Sequence, residues 1–100
     1  MKSEVLIVDD EMDICLLLKS LLKTKELNSS FVQTLNEAEV KFEETKPCIL
    51  FLDMNLPDGN GIQRIETFKN KSPHTNIIMM SAYDTAEDRK KALEQGADIF

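Results

Sequence analysis

Four polar side chains that could act together come directly after apolar segments of the chain. Three are carboxylates and one is a hydroxyl: Asp9, Asp10, Asp53 and Ser81. In an open α/β sheet, functional groups collect in the crevice beyond the carboxyl ends of the strands. If the segments before Asp9 and Asp53 are neighbouring parallel strands, the three carboxylates converge at one edge of the sheet. Carboxylates so close raise one another's pKa, and a hard cation such as Mg²⁺, or Mn²⁺, relieves that repulsion.

Such a cation would leave coordination positions free for a phosphoryl group. Asp53 would then be a nucleophile that takes this group covalently, because a carboxylate is ionised at neutral pH and needs no base. The Ser81 hydroxyl could donate a hydrogen bond to a phosphoryl oxygen across the cleft. Any one of these aspartates alone is more simply a helix N-cap, and only their combination favours a site.

The apolar segments themselves indicate strands of a parallel sheet. Three of them do not alternate polar with apolar residues, which is typical of strands buried on both faces: 5–8, 48–52 and 77–80. Residues 30–34 are more mixed and predict a less covered strand. Residues 98–100 would open a further strand.

Helical patterns lie between these segments. Five residues have helical spacing and predict a first helix over about 11–25: Ile14, Leu17, Leu18, Leu21 and Leu22. Asn36 and Glu39 form a possible capping box for a second helix that ends near residue 44. A third helix is expected over about 61–70, after a turn at 57–59 in which glycine supplies a positive φ. A fourth would begin at Asp84 or Thr85 and end before Gly96, with little apolar content.

Strands that alternate with helices in this way predict one α/β domain with right-handed crossovers. The chain has 100 residues and a net charge of −6, from 12 basic and 18 acidic side chains. Because it is acidic and has no basic cluster, direct nucleic-acid binding is not expected. No apolar stretch approaches the roughly 20 residues of a membrane span. Cys15 and Cys48 are expected to be small buried hydrophobic residues that stay reduced, so we expect a cytoplasmic protein.

The chain resembles the receiver domain of bacterial two-component response regulators over its whole length. The motifs that carry the resemblance are VLIVDDE at 5–11, LFLDMNLPDGNG at 50–61, IIMMSA at 77–82 and GAD at 96–98. The resemblance implies a flavodoxin-like, doubly wound parallel sheet with strand order 2-1-3-4-5.

The resemblance also implies a set of roles. Asp53 would accept a phosphoryl group from a sensor histidine kinase or a phosphotransfer protein. Asp10, Asp53 and the backbone carbonyl of Asn55 would bind the metal directly, and Asp9 would act through water. Ser81 would be the switch hydroxyl.

Further residues match positions that tune or transmit the signal in this family. Phe100 would be the switch aromatic, and Tyr83, Ala82 and the side chain of Asn55 would tune phosphoryl lifetime. The face formed by the fourth helix and fifth strand would relay the signal and is a possible homodimer surface. The domain would catalyse only its own phosphorylation and dephosphorylation.

The chain departs from the family pattern at its end. The lysine of the family's fifth strand would fall three residues after Phe100, and the last helix would follow it. Residues 1–100 are therefore predicted to be a receiver domain truncated at the start of its fifth strand. The apolar side of Ile14 and Leu18 would then be partly uncovered and open to self-association.

Two other functions remain open from the sequence. One is a pseudo-receiver that signals by protein contact without phosphorylation. The other is a phosphatase with an aspartyl nucleophile. Such enzymes typically have a second Asp two residues after the nucleophile as acid and base, whereas this chain has Asn55, which cannot transfer a proton usefully.

Overall fold

The computed structural model describes residues 4–100. Within this range there are six strands: β1 (Glu4–Val8), β2 (Asn28–Val32), β3 (Ile49–Asp53), β4 (Asn55–Leu56), β5 (Gly59–Asn60) and β6 (Asn76–Met80). Four α-helices accompany them: α1 (Met12–Thr24), α2 (Leu35–Thr45), α3 (Ile65–Lys71) and α4 (Ala86–Gln95). A 3₁₀ turn, Gly61–Arg64, leads into α3.

The main sheet is parallel, and its strand order is β2-β1-β3-β6. After α4, Ile99 pairs in parallel with Ile78, and its carbonyl accepts a hydrogen bond of 2.8 Å from the amide of Met79. Residue 99 therefore occupies the position of a fifth strand beside β6, which confirms that a strand opens at residues 98–100. The predicted α/β class and the order 2-1-3-4-5 are confirmed, with β6 as the fourth strand.

The hydrophobic core is divided by the sheet. On one face, α2, α3 and α4 cover alternate strand residues such as Leu6 and Leu50, and the rings of Phe42 and Phe68 lie 4.8 Å apart. On the other face, α1 packs over a smaller cluster centred on Val5. The sheet therefore has helices on both faces, as a doubly wound fold requires.

The strands differ in how completely they are buried. Residues 5–8 of β1 are buried on both faces, but β3 and β6 alternate between buried and partly exposed residues. Alternation places Phe51, Ile78 and Met80 on the face of α1. Within residues 4–100, α1 is the one helix on that face, so the expectation of full burial is wrong for β3 and β6.

Helix α1 packs on the core with a narrower side than expected. Cys15 is buried, and Leu18 and Leu22 pack against the smaller cluster. Leu17 and Leu21 are instead 56% and 54% exposed. Each precedes a packed leucine by one residue, which is about 100° around the helix, so the predicted five-residue stripe was too wide.

Three local predictions need correction. β2 begins at Asn28, two residues before the expected start. The N-cap of α2 is Thr34 and not Asn36, because the Thr34 hydroxyl accepts the amide of Glu37 at 3.1 Å. Cys48 is exposed and not buried, since it precedes β3, and its Sγ donates to the Glu4 carbonyl at 3.1 Å.

Other boundaries agree with the sequence. Helix α4 starts after Thr85, whose side chain forms a capping box with Asp88, and it ends at Gly96 with φ of 118°. Gly59 has φ of 151° in the predicted turn. Among residues 4–100, the helices are all too short or too polar to cross a bilayer.

The two adjacent leucines of α1 provide a test of this packing. We expect Leu18→Ala to lower the free energy of unfolding by about 2 kcal/mol, because it removes contacts within the smaller cluster. The matched control Leu17→Ala should change it by less than about 0.5 kcal/mol, because Leu17 is exposed. Urea unfolding followed by circular dichroism measures both. Equal losses would show that the face of α1 has been assigned incorrectly.

Candidate functional site

The sheet order brings the acidic residues together. β1 and β3 are adjacent and parallel, and Val8 is opposite Leu52. Asp9 and Asp53 therefore lie side by side at the same edge of the sheet. One carboxylate oxygen from each of Asp9, Asp10 and Asp53 lies within 4.8 Å of the others. The structure thus places the three predicted carboxylates in one cluster.

The three carboxylates differ in burial and in their hydrogen bonds. Asp9 is 6% exposed, and its Oδ1 accepts the amide of Glu11 at 2.8 Å. Asp53 is partly buried, and its Oδ1 accepts the amide of Asn55 at 3.3 Å. Asp10 is exposed. Each of the two deeper carboxylates therefore has a backbone donor that offsets part of its charge.

Burial and mutual repulsion make the ionised form of Asp53 unfavourable. The pKa of Asp53 is raised to about 6, mainly by burial and further by the charge of Asp9, while the hydrogen bond from the Asn55 amide opposes the rise. The pKa of Asp9 is also raised, mainly by burial and further by Asp10. The predicted increase in pKa is therefore present. Its larger cause is burial, with repulsion second.

A cleft of about 300 Å³ opens beside the cluster. Its walls combine acidic, apolar and hydroxyl side chains: Asp9, Glu11, Ile14, Asp53, Met80, Ser81 and Ala82. β3 pairs with β6 so that Asp53 is opposite Met80, which brings the following Ser81 to the same edge. The Ser81 hydroxyl accepts the amide of Tyr83 at 3.2 Å.

Two of the expected switch residues lie outside the lining of the cleft. The side chain of Tyr83 is 87% exposed. Phe100 is partly buried against the main core, with the guanidinium of Arg89 5.7 Å from its ring centre. Arg89 also pairs with Asp84. The structure therefore places Phe100 beside α4 and not beside Asp53.

The segment after Asp53 approaches the strand closely at one glycine. The amide of Gly61 donates to the carbonyl of Met54 at 2.7 Å. A Cβ at position 61 would lie 2.3 Å from the carbonyl oxygen of Asp53, so a residue larger than glycine would displace the end of β3. Gly61 thus allows the 3₁₀ turn to pack directly against the end of β3.

Two contacts near the cluster were not predicted. The carboxylate of Asp58 accepts the amides of Leu35 and Asn36 at 2.8 and 2.9 Å, and these donors hold the pKa of Asp58 below its usual range. The side-chain amide of Gln33 donates to the carbonyl of Asp10 at 3.0 Å. Each contact joins residues more than 20 positions apart, so no local pattern indicates it.

The raised pKa of Asp53 predicts how stability depends on pH. The ordinary pKa of an aspartate is 3.8, whereas the pKa of Asp53 in the folded protein is about 6. In metal-free protein at pH 7, the folded state therefore contains an ionised carboxylate in surroundings that disfavour its charge. We expect Asp53→Asn to raise the free energy of unfolding by about 1–2 kcal/mol at pH 7. This gain is smaller than the whole pKa shift would give, because solvent screens the partly exposed site. The gain should decline between pH 6 and pH 4, where the folded wild type takes up the proton. Urea unfolding in a chelator measures it, and a gain independent of pH would contradict this explanation.

Comparison with known proteins agrees with this arrangement. A family model described as the response regulator receiver domain matches residues 5–100. The transcriptional regulatory protein SrrA of Staphylococcus aureus is 38% identical over 101 residues, which cover 100% of this chain and 41% of SrrA. The chain spans less than half of the length of the curated relatives that it matches, down to 22% for the response regulator protein PilR of Pseudomonas aeruginosa, which is 31% identical over 99% of this chain.

Solved structures show the same fold. A CheY-like receiver domain protein from Methanospirillum hungatei has a TM-score of 0.94 and 27% identity, over 99% of this chain and 79% of that one. The beryllofluoride-activated NtrC4 receiver domain dimer has a TM-score of 0.89 and 32% identity, over 96% of this chain and 80% of its own. On the family match and the shared fold, this chain belongs to the response regulator receiver domain family.

Proposed function

We propose that this chain is a phosphorylation-activated switch that accepts a phosphoryl group on Asp53 with the help of Mg²⁺ or Mn²⁺. Receiver domains are signalling modules and not classical enzymes. The observation that carries the proposal is the cluster of three carboxylate oxygens within 4.8 Å at the mouth of a cleft that also contains Ser81.

The donor set fits a hard divalent cation. Carboxylate and carbonyl oxygens are the ligands that Mg²⁺ prefers, and it keeps several waters when few carboxylates are available. Asp10, Asp53 and the backbone carbonyl of Asn55 would hold the ion, with Asp9 acting through water. The raised pKa of Asp53 supports this, because a cation would stabilise the ionised form that burial disfavours. When bound, the ion neutralises charge on the phosphoryl group and its acceptor.

The transfer uses Asp53 as the nucleophile. One carboxylate oxygen attacks phosphorus, and the bond between phosphorus and the nitrogen of a phosphohistidine breaks. With a pKa of about 6, Asp53 is mostly ionised at neutral pH and needs no base. The phosphoryl source would be a sensor histidine kinase or a phosphotransfer protein.

The signal would travel from the cleft to α4. We propose that the Ser81 hydroxyl, which accepts the Tyr83 amide, turns to donate to a phosphoryl oxygen. Phe100 would then move inward from its place beside Arg89. Ala82 and Tyr83, together with the side chain of Asn55, would control water access to the phosphoryl group and hence its lifetime.

The partner surface would be α4 with the strand at Ile99. Leu93 and Ile99 expose 50% and 58% of their surface. The NtrC4 receiver domain forms a dimer, and we propose a homodimer through this surface. The domain would act in the cytoplasm, without direct contact to nucleic acid or membrane.

Phosphorylation of Asp53 can be tested with a small phosphodonor such as an acyl phosphate. We expect one phosphate per chain by intact mass in the presence of Mg²⁺, and none for Asp53→Asn. The matched control Asp13→Asn removes an exposed carboxylate on α1 and should be phosphorylated normally. An adduct that survives Asp53→Asn would overturn the proposed acceptor.

Metal binding separates the phosphorylated switch from a pseudo-receiver. We expect Mg²⁺ to bind the wild-type chain in isothermal titration calorimetry. Asp10→Ala should weaken binding by about tenfold or more, because it removes a proposed ligand. Asp13→Asn again serves as the control for loss of one surface charge. The same Mg²⁺ affinity in both variants would contradict the assigned ligands.

A further inference from the structure

Residues 33–36 comprise the connection between β2 and α2 and the first two residues of α2, and they contact both loops that carry the proposed metal ligands. On one side, Gln33 donates from Nε2 to the carbonyl of Asp10 at 3.0 Å. On the other side, Leu35 and Asn36 donate their amides to Asp58, in the turn after Asn55. One short segment therefore holds the loop after β1 and the loop after β3.

The contact with Asp58 is the stronger of the two. Its Oδ1 accepts the amide of Leu35 at 2.8 Å and its Oδ2 that of Asn36 at 2.9 Å. These amides belong to the first turn of α2, where N–H groups have no helical partner and the helix dipole favours a negative charge. Asp58 thus fixes the turn to the end of an 11-residue helix.

A two-strand ladder carries this restraint from Asp58 to Asn55. β4 and β5 pair Asn55 with Asn60 and Leu56 with Gly59, on either side of the turn. A Cβ on Gly59 would lie 3.1 Å from Cδ1 of Leu35, so the hairpin sits tightly against α2. A movement of Asp58 away from α2 would therefore displace Asn55.

We propose that residues 33–36 act as a spacer that sets the distance between Asp10 and Asn55 and so favours Mg²⁺ over Ca²⁺. Gln33 and Asp58 are the positioning residues in this arrangement, and the inference rests on the proposed metal site. Mg²⁺ requires nearly octahedral ligands at about 2.0–2.1 Å, whereas Ca²⁺ accepts flexible geometry at about 2.3–2.6 Å. A fixed spacing between the two ligand loops therefore matters more for Mg²⁺, because this ion tolerates less distortion of its ligands than Ca²⁺ does.

The test compares the dissociation constants of Mg²⁺ and Ca²⁺ by calorimetry in wild type, Gln33→Ala and Asp58→Ala. Loss of a supporting contact should raise the Kd of Mg²⁺ by about tenfold and that of Ca²⁺ by less than about threefold. The preference for Mg²⁺ would therefore fall. Loss of the Asp58 charge weakens the binding of both divalent ions alike, and partial unfolding does the same. Neither effect therefore changes the ratio of the Mg²⁺ and Ca²⁺ dissociation constants.

Two matched controls accompany these variants. Asp13→Asn removes one exposed surface charge on α1, outside residues 33–36. Gln63→Ala replaces an exposed glutamine in the 3₁₀ turn. Both controls should keep the wild-type ratio. If Asp58→Ala does not fold, Asp58→Asn replaces it, because an amide offers one acceptor for two N–H groups.

The outcomes separate the inference from the proposed function. A lower Mg²⁺ preference in the Gln33 and Asp58 variants, with unchanged controls, supports the spacer. An unchanged ratio in both variants overturns it and leaves the metal site in place. A wild-type chain that binds no Mg²⁺ overturns the metal site as well as the spacer.

Discussion

The central constraint in this structure is the confinement of three carboxylates at one edge of a parallel sheet. The pairing of β1 with β3 leaves no alternative position for Asp9 and Asp53, because Asp9 directly follows β1 and Asp53 is the last residue of β3. Backbone amides of Glu11 and Asn55 offset only part of the resulting charge. Burial and the remaining repulsion together raise the pKa of Asp53 to about 6. The fold therefore maintains an unfavourable charge arrangement that a divalent cation and a phosphoryl group would use.

Much of the surrounding structure keeps this arrangement in place. Gly61 lets the 3₁₀ turn lie against the carbonyl of Asp53, which fixes the direction in which the chain leaves β3. Asp58 and Gln33 tie the two acidic loops to the start of α2. The core beneath these loops is formed mainly by α2, α3 and α4. Packing on one face of the sheet thus supports the site at its edge.

The sequence predicted what depends on strand order and local signals. The convergence of Asp9 and Asp53 follows from parallel strands with acidic ends, and the boundaries of α4 follow from Thr85 and Gly96. Properties that depend on tertiary packing were less accessible. Leu17 follows helical spacing as well as Leu18 does, and only the packing of α1 against the sheet shows which one is exposed.

The same limit applies to the site. Sequence reasoning found the charged groups but gave repulsion as the cause of the raised pKa, because burial cannot be measured before the fold is known. The hydrogen bonds from α2 to Asp58 join residues 22 and 23 positions apart and leave no local pattern. Thr34 had the pattern of an N-cap with Glu37, and the choice of Asn36 overlooked it. That error came from a competing local signal and not from tertiary structure.

Helix α4 combines well-defined ends with a small buried surface. A capping box at Thr85 and a left-handed Gly96 fix its limits, whereas Ala92 is its one buried residue and Leu93 is half exposed. A helix of this kind can shift as a unit, because few core contacts are lost when it moves. Arg89 connects it to the ring of Phe100. In the proposed switch, α4 is therefore an element that can change position at a low free-energy cost, while the core under α2 and α3 holds the acidic cluster in place.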